Sequence, residues 1–222
     1  GTFGFGSILT LSPDGSTGYI SSTATGAVIK FDIQTGQELG RLATLEAPAQ
    51  STITKDGKTL MVVDVTATEV VFVDTATMAK KYSVTPLADD AYPTANFTIY
   101  NKPVLNQDET VGLIGSQDAG TSSLTCESNA VFVFDVSTGE ILEDTTIGCS
   151  PAYTTLLPTN TFWAILGQGN LSLVPTWSPD LSIVNEYGLG TPLSSANILI
   201  SPRYPSMTSP FQLALKLLRT AW

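Results

Sequence analysis

Histidine is absent from this 222-residue sequence, and cysteine occurs twice. Without histidine the chain has no Ser-His-Asp or Cys-His catalysis, no imidazole ligand for zinc and no imidazole general base. Charged residues make up 14% of the chain, with 10 bases against 20 acids. Nucleic-acid binding needs clustered Lys and Arg to neutralise phosphates, so this balance excludes that partner class. No apolar run approaches the roughly 20 residues that span a bilayer, so no membrane span is predicted.

The sequence does contain an internal repeat. Two short markers recur with a period of 42 residues, Ser12–Gly15 with Thr54–Gly57 and Asp32–Gly36 with Asp74–Met78. A third copy of the second marker starts at Asp135, 61 residues after Asp74, and we align Pro179–Ser182 as a fourth. Two markers that keep one period indicate a repeat protein.

Short stretches rich in Val, Ile, Thr and aromatic residues lie between these markers, separated by Asp-Gly or Thr-Gly turns that are typical of antiparallel strands. The first two units predict strands at Ser7–Ser12, Gly18–Ser22, Ala27–Asp32, Glu38–Ala43, Gln50–Lys55, Thr59–Val65, Glu69–Asp74 and Lys80–Thr85. Four strands in about 42 residues form one blade of a β-propeller. The sequence therefore predicts an all-β fold of four-stranded antiparallel blades.

The predicted organisation is four full blades and the start of a fifth. The blades cover residues 7–44, 47–85, 88–148 and 149–190, with a partial blade at 191–200. The third unit carries an insertion between Tyr100 and Cys126 that ends in the polar run Gln117–Ser123. Residues 201–222 form an atypical tail, either a short amphipathic helix or a segment unrelated to the repeat.

The strings SPDGSTGYISSTATGAVIKFDIQTGQELGRL and TKDGKTLMVVDVTATEVVFVDTATMAKKYSV resemble the YVTN-type β-propeller repeat. That family is built from blades of about 40 residues and includes lactonase-like and surface-layer-type propellers. The resemblance implies a propeller fold, here as a fragment or truncated copy of a larger propeller. It implies no particular function, because function resides in sites rather than in folds.

The two cysteines, Cys126 and Cys149, flank a predicted hairpin of Val131–Asp135 and Glu140–Ile147. A hairpin brings both to the same end of one blade, which favours a disulfide; the alternative is two unrelated buried thiols. A disulfide predicts an exported protein, extracellular or periplasmic. The sequon that starts at Asn170 lies beside a turn and is a glycosylation candidate.

Candidate ligand or partner contacts lie in the loops that enter each inner strand: Glu46, Asp89, Asp90, Tyr92 and Tyr153. Asp89 and Asp90 with Glu46 offer the oxygen ligands that calcium prefers, although a solvated acidic loop is the favoured interpretation. No other cofactor is indicated. The repeated acids Asp14, Asp32, Asp56, Asp74 and Asp135 are predicted to be structural, because turn Asp accepts backbone N–H bonds.

No catalytic residues are predicted. We expect a binding or scaffold module that acts through a propeller face or through the loop Asn101–Cys126, a long polar segment of the kind that often carries contacts. The alternative is a hydrolase like the lactonase-like propellers, whose sites use acidic, Arg or His groups at the channel. This chain offers Arg41, Arg203 and Arg219 and no histidine, so we do not expect an enzyme.

Overall fold

A computed structural model describes residues 8–85, 97–98, 101–118, 130–146, 153–157, 160, 162–166, 170–176 and 185–188. These residues form β-strands joined by turns, and the strands pair into four antiparallel sheets. The predicted all-β antiparallel class is therefore confirmed. None of the segments described is a helix of the length and apolarity needed to cross a membrane.

The first two sheets follow the predicted strands closely. The first sheet contains β1 (Ile8–Leu11), β2 (Thr17–Ser22), β3 (Ala27–Asp32) and β4 (Glu38–Leu42) in sequence order. The second contains β5 (Pro48–Ile53), β6 (Thr59–Asp64), β7 (Glu69–Asp74) and β8 (Ala79–Val84), also in sequence order. Both third strands have the predicted bounds, and the other strands differ from prediction by one or two residues at their ends.

The third and fourth sheets repeat this order. The third contains β9 (Phe97–Thr98), β10 (Val104–Leu105), β11 (Val111–Asp118), β12 (Ala130–Asp135) and β13 (Ile141–Thr146), with β9 and β10 both paired to β11. The fourth contains β14 (Tyr153–Leu156), β15 (Phe162–Leu166), β16 (Asn170–Pro175) and β17 (Asn185–Gly188). Two short segments thus occupy the first-strand position of the third sheet.

One backbone turn precedes the second strand of the first two sheets and defines their alignment. Ser12 N donates to Thr17 O and Gly15 N donates to Ser12 O, both at 2.9 Å. In the second sheet Thr54 N donates to Thr59 O at 3.0 Å, and Gly57 N donates to Thr54 O at 2.9 Å.

The same turn occurs in the third sheet, where the sequence predicted an insertion. Asn106 N donates to Val111 O at 2.9 Å and Glu109 N to Asn106 O at 3.2 Å. Glu109 has φ 56° in the place that Gly15 and Gly57 take in the first two sheets. The interpretation of Asn101–Cys126 as a loop is therefore wrong for residues 104–105 and 111–118, which are strands of the sheet. The polar run begins inside β11, and residues 119–129 lie outside the described part of the chain.

The fourth copy of the Asp marker is also corrected. Leu157 N donates to Phe162 O at 2.9 Å and Asn160 N to Leu157 O at 2.8 Å, which aligns β15 with the other second strands. Trp163 then pairs with Val174, as Leu60 pairs with Val73. The residue that follows on β16, Pro175, is the counterpart of Asp74. The alignment of Pro179–Ser182 with the Asp marker was wrong, and those residues lie outside the described segments.

Each sheet has two faces, because side chains alternate along a strand. In the first sheet we call one the front face and the other the back face. The front face carries Leu9, Leu11, Ile20, Ile29 and Phe31, and the back face carries Thr10, Tyr19, Val28, Lys30 and Leu42. In the other three sheets, each residue is assigned to the front or the back face by its position relative to the same turn.

The chain divides into two compact units, residues 1–103 and 104–222. In the first unit, one apolar cluster joins the back face of the first sheet to the front face of the second: Tyr19, Val28 and Leu42 pack with Leu60, Val62, Val71 and Val73. Polar contacts cross the same interface. Lys30 Nζ donates to Thr75 O at 2.8 Å, and Thr10 Oγ1 lies 2.6 Å from Ser51 Oγ. Burial raises the pKa of Tyr19.

The second unit uses the same arrangement. Its apolar cluster joins the back face of the third sheet to the front face of the fourth, with Val104, Leu113, Val131 and Val133 against Leu156, Trp163, Ile165 and Val174. Each unit therefore covers a front face with the back face of the preceding sheet. Trp163 of this cluster is fully buried.

Candidate functional site

The repeated turn acids are structural, as predicted. Asp74 Oδ1 accepts from Thr77 N at 2.9 Å and from Ala76 N at 3.0 Å, and Asp135 Oδ1 accepts from Ser137 Oγ at 2.6 Å and Thr138 N at 2.8 Å. The bond from Thr77 N lowers the pKa of Asp74, and the bond from Ser137 Oγ lowers that of Asp135.

The two acids of the first marker behave in the same way. Asp14 Oδ1 accepts from Ser12 Oγ and Asp56 Oδ1 from Thr54 Oγ1, each at 2.6 Å, and each bond lowers the pKa of its carboxyl group. In each of these four carboxylates Oδ1 accepts hydrogen bonds from donors of its own turn.

The residues predicted to bind a ligand are only in part described. Glu46 is exposed, and its backbone N donates to Asp64 Oδ2 at 2.7 Å. Tyr153 is the first residue of β14. Asp89, Asp90 and Tyr92 lie outside the described residues, as do Cys126 and Cys149. The residues described contain no group of three acidic or cysteine side chains that could hold a metal ion, and the proposed calcium ligands other than Glu46 are not among them.

The glycosylation candidate Asn170 is the first residue of β16. It pairs with Gly188 of β17, so the sequon starts within the fourth sheet rather than in the turn before it.

Asp64 is a buried carboxylate that the sequence analysis did not single out. It is 1% exposed. Its two oxygens accept from the backbone N atoms of Glu46 at 2.7 Å and Ala47 at 2.9 Å, and Ala67 N lies 3.4 Å from Oδ1. The side chain therefore anchors the segment that leads into β5, and backbone donors satisfy its charge. Its signal in the sequence was an acid at the end of an apolar strand, where the second strands of the first and third sheets carry Ser22 and Ser116.

Three hydroxyl groups in or next to the inner strands have structural partners. Thr10 Oγ1 contacts Ser51, Thr52 Oγ1 donates to Pro103 O at 2.7 Å and Thr54 Oγ1 bonds to Asp56. Thr98 lies in β9. Thr154 is 7% exposed, and its Oγ1 has no hydrogen-bond partner. These strands present no charged group that could act as an acid or base.

Arg41 is the one arginine among the described residues. Its Nε and Nη2 atoms donate to Glu38 Oε1 and Oε2, both at 2.7 Å. This bidentate pair lies on β4, opposite Ile29 and Phe31. It forms a charge-neutral rim beside the front face of the first sheet.

The front face of the first sheet has the properties of an interaction surface. Leu9, Leu11 and Ile33 are 54%, 49% and 41% exposed, and Ile20, Ile29 and Phe31 are half-buried. We call these six residues the open face. The corresponding side chains of the other sheets are covered: Leu60, Val62, Val71 and Val73 in the second, Ile114, Phe132 and Phe134 in the third, and Trp163, Ile165 and Val174 in the fourth. Contiguous exposed apolar surface with a polar rim marks interaction sites.

No protein-family model matches the chain. No curated protein matches it either. Among 1213 matching solved chains is one from hydrazine synthase of Kuenenia stuttgartiensis, with a TM-score of 0.63 and 21% identity. The match covers 84% of this chain, which spans about half (51%) of that chain's length. The two chains share a fold, and at this identity the likeness extends to the fold alone.

Proposed function

We propose that the chain is an exported β-propeller module that binds or scaffolds other proteins and performs no catalysis. The observation that supports it best is the open face, an apolar surface left uncovered in a repeat whose other front faces are buried. Burying such a surface against a partner releases about 25 cal/mol per Å². The partner is thus expected to be held through apolar contact rather than through charge.

The propeller assignment rests on the repeat. Four successive antiparallel sheets each follow sequence order, and each unit packs a back face against the next front face. The YVTN-type resemblance of the first two units and the structural likeness reported above point the same way. Structural roles for the turn acids and for Arg41 argue against a hydrolytic site, because their hydrogen bonds are made within their own turns and to Glu38.

The test compares three versions of the purified chain: the unmodified protein, Leu11→Lys in the open face and Leu142→Lys as a control. Leu142 is 37% exposed and lies in the third sheet. Each version is immobilised, challenged with an extracellular protein fraction and assayed for ester and lactone hydrolysis with and without calcium. We expect a partner retained by the first and third versions and lost from Leu11→Lys, with no turnover. Turnover proportional to the chain, or equal retention by all three, contradicts the proposal.

The expected export has its own test. An oxidised Cys126–Cys149 pair lowers the intact mass by the two thiol hydrogens, and a reductant restores it. Two alkylatable thiols in the protein from its native compartment would contradict the exported assignment.

A further inference from the structure

We infer that the outer edges of the sheets are closed to strand addition by a β-bulge that recurs at one position of the repeat. The partner of the module therefore binds by packing side chains on the open face, and not by adding an extended segment to the edge of a sheet. This inference rests on the proposed function and specifies how the partner is bound. It is drawn from the strand registers of three sheets.

Each sheet has an outer edge strand, because its strands follow one another in sequence order. Within the described residues β4, β8 and β13 pair on one side only, with β3, β7 and β12. The other side of an edge strand presents backbone N–H and C=O groups that can pair with a strand from another chain. These edges are thus the places where an extended partner segment would bind, unless the structure prevents it.

Each of these three outer strands contains one residue more than the strand with which it pairs. In the first sheet Lys30 pairs with Gly40, and the next residue, Phe31, pairs with Glu38. Leu39 is therefore an extra residue without an opposite partner, which defines a β-bulge. The registers of the other two pairs shift in the same way, and the extra residues of the three strands are Leu39, Lys81 and Leu142.

The turn before the outer strand sets the position of the bulge. In all three sheets the extra residue lies seven residues after the aspartate that ends the third strand. The C=O of that aspartate accepts from the backbone N of the residue four further along, at 2.8 Å from Gly36, 2.8 Å from Met78 and 2.9 Å from Gly139. The bulge is therefore a feature of the repeat. The corresponding residue of the fourth sheet, Val184, lies outside the described part of the chain.

A bulge interrupts the row of backbone groups on the outer side of an edge strand. In a regular strand every second residue directs its N–H and C=O to that side, so one extra residue puts the groups before it out of phase with those after it. The uninterrupted part after the bulge has three residues in β4 (40–42), three in β8 (82–84) and four in β13 (143–146). Strands are most often about five or six residues long. A straight partner strand therefore cannot keep its pairing along these edges.

The side chains of the extra residues indicate which edges depend most on the bulge. Leu39 is 50% exposed and Leu142 is 37% exposed. A regular edge at these positions would combine an exposed apolar side chain with accessible backbone groups, which promotes association between edges. In β8 the extra residue is Lys81, an exposed lysine beside Lys80, and lysine on an edge opposes pairing by its charge. The first and third sheets therefore depend most on the bulge.

The experiment removes the bulge and keeps every strand pair. Deletion of Leu39 joins Glu38 directly to Gly40, and because their partners on β3 are also neighbours, β3 and β4 become a regular pair. The matched control is Leu39→Ser, which removes the same apolar side chain and leaves the bulge in place. Deletion of Leu142 repeats the test in the second compact unit.

The readouts are sedimentation at about 10–100 μM protein and amide hydrogen exchange in the altered strand. We expect each deletion variant to form larger assemblies than Leu39→Ser and the unmodified chain, with exchange in the altered strand about tenfold slower because the edge is then paired. A folded deletion variant that assembles no further than the control overturns the inference. If circular dichroism shows that both deletions unfold the protein, the inference also fails, since the bulge would then be needed for the fold itself.

A second substitution separates edge pairing from association through the open face. The assemblies formed on deletion of Leu39 should persist when Leu11→Lys is added, because Leu11 lies on the open face and not at the edge. Their loss in the double variant overturns the inference, since the open face would then have joined the copies. That outcome leaves the proposed interaction module standing. Equal retention of a partner by the unmodified chain and Leu11→Lys would instead remove the module and leave the closed edges unaffected.

Discussion

Gly18 lies directly opposite Phe31 on the neighbouring strand, and the phenyl ring covers the glycine so closely that a Cβ at position 18 would lie 2.7 Å from Phe31 Cε1. Gly112 and Phe134 form the same pair in the third sheet. In the second and fourth sheets the pairs are Leu60 with Val73 and Trp163 with Val174. Where the third strand carries the phenylalanine, the second strand carries glycine. In the second and fourth sheets the third strand carries valine, and the larger residue of the pair lies on the second strand.

This pairing predicts that Gly112→Ala destabilises the protein by about 1–3 kcal/mol, the usual cost of overpacking a core. Phe134 is fully buried and cannot move aside. Gly18→Ala is expected to cost less, because Phe31 is only half-buried. Urea unfolding measures both. In a double-mutant cycle Phe134→Val should offset part of the cost of Gly112→Ala, as the Leu60–Val73 pair suggests; additive costs would contradict the size-matching account.

A second prediction concerns the turn before the second strand. Glu109 has φ 56° where the first two sheets have glycine, with φ 72° at Gly15 and 71° at Gly57. A left-handed conformation costs an L-residue about 1–2 kcal/mol, part of which glycine returns through its greater freedom in the unfolded chain. Glu109→Gly should therefore raise the unfolding free energy by about 0.5–1 kcal/mol in urea titrations.

The reciprocal change serves as the control for that turn. Gly57→Glu should lower the unfolding free energy, because it puts an L-residue into the same left-handed conformation. If the two substitutions change stability in the same direction, backbone conformation does not govern this turn.

The open face predicts a contrast between two matched positions. Leu11 is 49% exposed, whereas its counterpart Ile53 packs against the buried cluster of the first unit. Leu11→Lys should change the free energy of unfolding by less than about 0.5 kcal/mol. Ile53→Lys should cost about 2–4 kcal/mol, because it removes an apolar contact and places a charge against the core. Thermal or urea unfolding measures the stability of both variants. Similar losses of unfolding free energy at the two positions would mean that the front face of the first sheet is covered like that of the second.

The turn acids predict how stability depends on pH. Hydrogen bonds from Thr77 lower the folded-state pKa of Asp74, and those from Ser137 and Thr138 lower that of Asp135. A carboxyl group with a depressed folded pKa contributes stability that is complete above its ordinary pKa, 3.8, and is lost as the pH falls through the folded value. The urea concentration at the unfolding midpoint should therefore fall as the pH is lowered below about 4, and it should stay nearly constant above about pH 5. Asp74→Asn should weaken this dependence; an unchanged pH profile in that variant would exclude a contribution from Asp74.

Much of the strand pattern could be predicted from the sequence, because markers with strong local chemistry define it. β3 and β7 end at Asp32 and Asp74, whose turns depend on their own side-chain bonds to Thr35 and Thr77. Where the same backbone turn uses other residues, the pattern failed. Glu109 and Asn160 adopt left-handed φ without glycine, so the turn in the third sheet was taken for part of a loop and the fourth marker was misaligned.

The candidate site was harder to predict, because exposure depends on what covers a face and not on the face itself. Leu11 and Ile53 are both aliphatic residues at the end of a first strand, and nothing local distinguishes them. One is open and the other packs against a neighbouring sheet. The acidic loop residues were selected as candidates because of their charge. In Glu46, however, the side chain is exposed, and it is the backbone N atom that makes the structural contact.

Hydroxyl-radical footprinting of the unmodified, monomeric chain tests the central claim most directly. Oxidation of side chains follows their exposure to solvent, so the open face and its covered counterparts are compared within one sample. The account predicts that Leu9, Leu11 and Ile33 are oxidised readily while Ile53, Leu60 and Val62 are protected. Equal protection of Leu11 and Ile53 in the monomer would contradict it, because the first sheet would then have no open face to offer a partner.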